Sequence, residues 1–167
     1  MGSVVKAIQK YDLMKVSTFI TRPANTTAYA AGDAVSDATG NALFTFSRVL
    51  KEGTKHGEIL RVGIHASKDS IATALEGELY LFHTAIGLTA DNAPWVPSEA
   101  EMKTRIGVVE FPSADWRLWG TGSICDVYPN MPFVIGTDTL YGQLVAQNAY
   151  APASGEIFTI ELVVAQY

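Results

Sequence analysis

The stretch Leu140–Val164, LYGQLVAQNAYAPASGEIFTIELVV, decides the fold class of this chain. Apolar residues alternate with polar ones on both sides of a Tyr150-Ala-Pro-Ala-Ser-Gly155 segment. That is the period-two pattern of β-strands interrupted by turn residues. The stretch predicts strand, turn, strand, paired as a hairpin. Almost nothing follows it, so the final strand is expected at the centre of a sheet.

The same pattern recurs upstream. Ser17–Thr21, Ala42–Leu50, Glu58–Ala66, Glu78–Phe82, Met102–Phe111 and Trp116–Asp126 all read as short extended segments. Phe44 and Phe46 fall on one face of theirs. Glu58–Ala66 carries apolar residues on both faces, as a central strand does. Gly32-Asp33 marks a tight turn, and the glycines within Trp116–Asp126 are read as bulges. Ser98 and Glu101 have the spacing of a capping box around one helical turn. No alternation of strands with helices occurs. The fold class expected is all-β, an antiparallel β-sandwich of jelly-roll type. Val4–Val16 has weak helical spacing and is assigned to a short N-terminal helix or arm. The domain division is thus an arm over 1–16 and one sandwich over 17–167.

Composition narrows the function classes. The chain has 167 residues, enough for one two-layer domain. Charged residues make up 17%, below the usual quarter, which hints that part of the surface is covered by a partner or by further copies of the chain. The net charge is -5 and the 12 Lys and Arg are scattered, so neither direct nucleic-acid binding nor a polybasic membrane patch is expected. No apolar run is long enough for a membrane span, and the N-terminal residues lack the pattern of a signal peptide.

Chemistry-bearing constellations are not evident. Cys125 is the one cysteine, lies between Ile124 and Val127, and reads as a small buried residue. His56, His65 and His83 are separated and lack the spacing of a metal site, so no cofactor or metal is expected. No G-x-S-x-G or phosphate-binding glycine loop occurs, and no enzymatic activity is expected. The tryptophans carry the functional options. Trp95, between two prolines in the long irregular stretch His83–Glu101, is a candidate contact residue. Trp116 and Trp119 are either core or the lining of a glycan groove.

Several segments together resemble a family of small structural proteins of tailed bacteriophages, encoded close to the major capsid protein. They are FITRPANTTAYAAGDAVS (Phe19–Ser36), GELYLF followed by TADNAPW (Gly77–Trp95), RIGVVEF (Arg105–Phe111) and the Leu140–Val164 stretch. The resemblance implies a virion component on the capsid surface, made in the host cytoplasm. It implies a head decoration (cement) protein, a homotrimer bound to the major capsid protein, with a β-sandwich fold and no activity. Candidate interface residues are then Val5, Ile8 and Tyr11 in the arm, Arg22 and Tyr29 in the loop after the first strand, and Trp95. The alternative is a tail- or fibre-associated module that binds a glycan receptor through Trp116 and Trp119.

Overall fold

The computed structural model describes residues 12–38, 43–68 and 74–167. Among them the chain forms two antiparallel sheets. The strands are β1 (Asp12–Thr21), β2 (Ala34–Val35), β3 (Phe44–Phe46), β4 (His56–Ala66), β5 (Gly77–Phe82), β6 (Arg105–Phe111), β7 (Arg117–Trp119), β8 (Gly122–Val127), β9 (Met131–Val134), β10 (Leu140–Ala146) and β11 (Ile157–Gln166). One sheet runs β1-β11-β4-β8-β7, with β9 also on β4; the other runs β2-β10-β5-β6, with β3 also on β10.

The pairing is nested: β1 with β11, β2 and β3 with β10, β4 with β8, and β5 with β6. A long hairpin rolled over itself produces this order, which is the jelly roll. The expected fold class is therefore found.

The C-terminal stretch is strand, turn, strand, as its alternation indicates, but it is not a hairpin. Leu140–Ala146 belongs to the second sheet and Ile157–Gln166 to the first. The connection between them, residues 147–156, crosses from one layer to the other. β11 is central, flanked by β1 and β4 over most of its length. Its inward residues Phe158, Ile160, Leu162 and Val164 are fully buried. They meet Leu79, Leu81, Leu144, Phe44, Phe46 and Phe111 from the other sheet in one continuous core. Each such side chain contributes about 1.5–3 kcal/mol on burial.

Other boundaries shift for local reasons. β1 begins at Asp12, so Asp12–Val16 pairs with Leu162–Gln166 instead of forming the end of a helix or arm. Residues 1–11 lie outside the described residues. Trp119 pairs with Gly122 across Gly120-Thr121, so these glycines make a tight hairpin turn and not a bulge. Gly120 takes φ 60°, a conformation with little penalty for glycine. The helical turn Glu99–Met102 has the expected capping box, with Ser98 and Glu101 each bonding the other's backbone N–H.

Candidate functional site

Two places among the described residues hold chemistry beyond packing. The first is a buried polar cluster at the end of the sandwich where three long connections meet. Arg22, just past β1, donates from Nη2 to Asp91 Oδ2 at 2.8 Å and from Nε to the Tyr29 hydroxyl. The Tyr29 hydroxyl donates to Asp91 Oδ1 at 2.6 Å, and Ser36 N–H donates to the same oxygen at 3.0 Å. Tyr150 stacks on Tyr29 with ring centroids 6.4 Å apart and donates to Glu156 Oε1 at 2.6 Å. Burial pushes both phenols well above their ordinary range, aided by the carboxylate each one faces. Burial likewise holds the Glu156 carboxyl above its ordinary value, against the bonds from Tyr150 and Ala153. The cluster ties the loops 22–36, 89–95 and 150–156 together. It is closed to solvent and gives its groups no access to a substrate.

This corrects the expectation for two residues. Arg22 and Tyr29 are 1% and 2% exposed, so they anchor the protein's own loops and present nothing to a partner. Val5, Ile8 and Tyr11 lie outside the described residues. Trp95 is half-buried, packed over Tyr80 at 4.4 Å and Phe82 at 6.4 Å between ring centroids. It pins the irregular 83–98 segment over the outer side of β5, and Phe82 is buried beneath it. Burial, together with the Glu78 carboxylate that its hydroxyl bonds, pushes the Tyr80 phenol up to about 12.

The second place is the outer face of the β1-β11-β4-β8-β7 sheet. Its outward residues come from every other position of each strand. Three zones run across it. The middle is a girdle in which Lys15 and Arg61 both pair with Glu161, and Arg61 also pairs with Asp126 at 3.5 Å. Two positive and two negative groups leave it neutral. The end of the face where β1 begins carries exposed Leu13, Val134 and Tyr167. The opposite end carries exposed Phe19, Ile157 and Trp119.

Between Trp119 and β4 lies an open groove of about 270 Å³. It is lined by Trp119, His65, Ser67, Thr121, Ile157 and Thr159 among others, and no charged side chain lines it. His65 meets the Trp119 ring edge-on at 5.6 Å. At Gly122, opposite Trp119, the backbone packs closely on the end of β4, where a Cβ would come within 2.6 Å of the Ala66 carbonyl oxygen. Burial lowers the His65 pKa below its ordinary value, opposed by Asp126 and reinforced by Arg61 and Lys15.

The two tryptophans assigned jointly to a glycan groove separate here. Trp116 is 4% exposed and its indole N–H donates to the Leu75 carbonyl at 2.7 Å, so it is core. Trp119 is 69% exposed and lines the groove. Sequence reasoning missed Leu13, Phe19, Val134, Ile157 and Tyr167. The signal for Phe19 is present, since an aromatic out of phase with buried Ile20 points outward. Cys125 is buried as expected, and burial pushes its thiol up to about 11. Among the described residues no His, Cys, Asp and Glu group has the arrangement of a metal site.

No protein-family model matches the chain. No curated protein matches it either. Solved structures with a similar course include the empty head of turnip yellow mosaic virus, at 11% identity and TM-score 0.29, covering 100% of this chain and 87% of that one. A second structure of turnip yellow mosaic virus gives 11% identity and TM-score 0.29, covering 99% and 87% of the two chains. Desmodium yellow mottle tymovirus gives 12% identity and TM-score 0.28, covering 99% and 94%. At these scores the likeness carries no argument about function.

Proposed function

We propose that this chain is a structural protein of a bacteriophage virion, a decoration (cement) protein that docks on the outer surface of the head. The observation that carries the reading is the end of the outer sheet face where β1 begins. Leu13, Val134 and Tyr167 are exposed there although the core is already complete without them. Large apolar groups gathered at one end of a sheet face form the kind of patch that contact surfaces use. The neutral girdle beside them is compatible with docking, because a partner covering it leaves no charge without a counter-charge. The four sequence segments that resemble the phage family support the same reading.

In this role the segment that precedes β1, with Val5, Ile8 and Tyr11, is assigned to the same contact, because the chain enters the sheet at Asp12, next to Leu13. A partner bridging adjacent capsid subunits stabilises the assembled shell, because its binding free energy is absent in the dissociated state. Three copies in one trimer multiply a weak contact into a tight one. The partners proposed are the major capsid protein and two further copies of this chain.

The test is cosedimentation with expanded capsids, with molar mass by light scattering. The wild type should be a trimer, bind capsids and raise their survival on heating. Leu13→Glu and Val134→Asp should abolish binding without changing Tm by more than a degree or two. A monomer that ignores capsids, or variants that bind like wild type, overturns the reading.

A further inference from the structure

The geometry points to a binding site for an uncharged sugar unit in the groove between Trp119 and His65. The argument starts from what the groove excludes. None of its lining side chains is charged, so an anionic or cationic ligand finds no counter-charge there. A small neutral ligand with both apolar and hydroxyl surface is what the lining complements. A pyranose ring has that character, with C–H groups on its faces and hydroxyls around its rim.

The two kinds of lining are placed accordingly. Trp119 stands 69% exposed on a hairpin whose turn is only two residues long, which limits the movement of its backbone. Its indole is held edge-on against His65, so the ring is oriented before any ligand arrives. Ile157, from the neighbouring strand β11, extends the apolar surface. An aromatic face is the usual platform for the C–H side of a ring, with the polar rim reaching donors and acceptors beside it. Those are supplied by the hydroxyls of Thr121 and Thr159 and by the His65 ring. Burial lowers the His65 pKa, which favours the neutral imidazole, with one nitrogen donating and the other accepting. The groove's volume of about 270 Å³ lies just below the range of drug-sized ligand sites, in keeping with one sugar residue of a longer chain.

The groove lies at the other end of the sheet face from Leu13. Phe19, paired with the lining residue Thr159, is six residues along β1 from Leu13, about 20 Å at strand spacing. The two ends of the face are far enough apart for capsid docking and sugar binding to be tested by separate substitutions.

The experiment is an array of neutral oligosaccharides, containing hexose and N-acetylhexosamine units, probed with the full chain. It is followed by titration of each positive glycan, monitored by tryptophan fluorescence. At least one neutral glycan should bind saturably and quench the emission. Trp119→Ala should weaken it about tenfold or more, and His65→Ala and Thr159→Val severalfold. All three should keep the wild-type Tm, since Trp119 is exposed and the others are half-buried. Val134→Asp should bind the glycan as the wild type does, which separates this site from capsid docking. No neutral glycan bound, binding only to acidic glycans, or binding that survives Trp119→Ala overturns the proposal.

Discussion

Arg22 and Asp91 stand 69 residues apart in the chain and meet as an ion pair 2.8 Å long, their side chains 0% and 5% exposed. Such a pair is a poor source of net stability when intact, but removing one partner strands the other charge in a low dielectric. Arg22→Ala leaves the Asp91 carboxylate, among the described residues, with the Tyr29 hydroxyl and the Ser36 N–H. We expect a loss of about 3–5 kcal/mol in urea unfolding. The double variant Arg22→Met with Asp91→Leu should recover a large part of it. A double variant no better than the single would show that the cluster works by shape and not by charge pairing.

Glu156 makes an opposite prediction about pH. Its folded pKa is raised above the ordinary 4.5, chiefly by burial. A carboxyl with a raised folded pKa opposes folding when ionised, and the penalty fades as pH falls through the folded value toward the unfolded one. The stability of the wild type relative to Glu156→Gln should therefore rise as pH is lowered from 7 toward 5. Gln keeps an acceptor for the Ala153 N–H and offers its amide N–H to the Tyr150 oxygen, reversing that bond, so the variant should fold. A wild type that instead loses stability relative to the variant on acidification would mean that the carboxylate is net stabilised in the fold.

Arg22 and its partners also mark where the sequence stops being legible. Strands with one buried face announce themselves by period two, so β4, β5 and β11 are readable within a few residues. Which strands pair is not encoded locally, because in a jelly roll several successive strands lie in opposite layers while others pair as hairpins. That is why Leu140–Ala146 and Ile157–Gln166 look like a hairpin and are not. Arg22 and Tyr29 look like surface anchors because nothing near them in sequence reveals Asp91. Trp116 and Trp119 are a different case. Three apart in an extended segment, they must face opposite sides, and that parity assigns one to the core and one to the surface.

The tryptophan pair yields a direct contrast. Trp116→Ala removes a buried indole and leaves the Leu75 carbonyl without its donor. The expected cost is about 3–5 kcal/mol. Trp119→Ala removes an exposed ring and should change stability by less than about 0.5 kcal/mol. Parallel thermal melts decide it: equal shifts for both variants would contradict the assignment of faces.

Glycine substitutions probe the close approach that shapes the groove floor. At Gly122 a Cβ would sit 2.6 Å from the Ala66 carbonyl oxygen and 3.7 Å from Ser67 Cα, both backbone atoms of the neighbouring strand end. Neither can swing aside as a side chain would, and Ala66 is held by pairing with Ser123 and Phe158. Gly122→Ala should therefore cost about 1–3 kcal/mol, the range for overpacking. At Gly136 an added methyl would have nothing within 4 Å and φ is not positive, so Gly136→Ala should be neutral or slightly stabilising. Gly120→Ala meets open space but at φ 60°, and should cost about 1 kcal/mol from backbone conformation alone. Urea midpoints in the order Gly136→Ala, Gly120→Ala, Gly122→Ala, from highest to lowest, are the expected result. A Gly122→Ala midpoint equal to that of Gly136→Ala would mean that β8 stands far enough from the end of β4 to leave room for a methyl beneath Trp119.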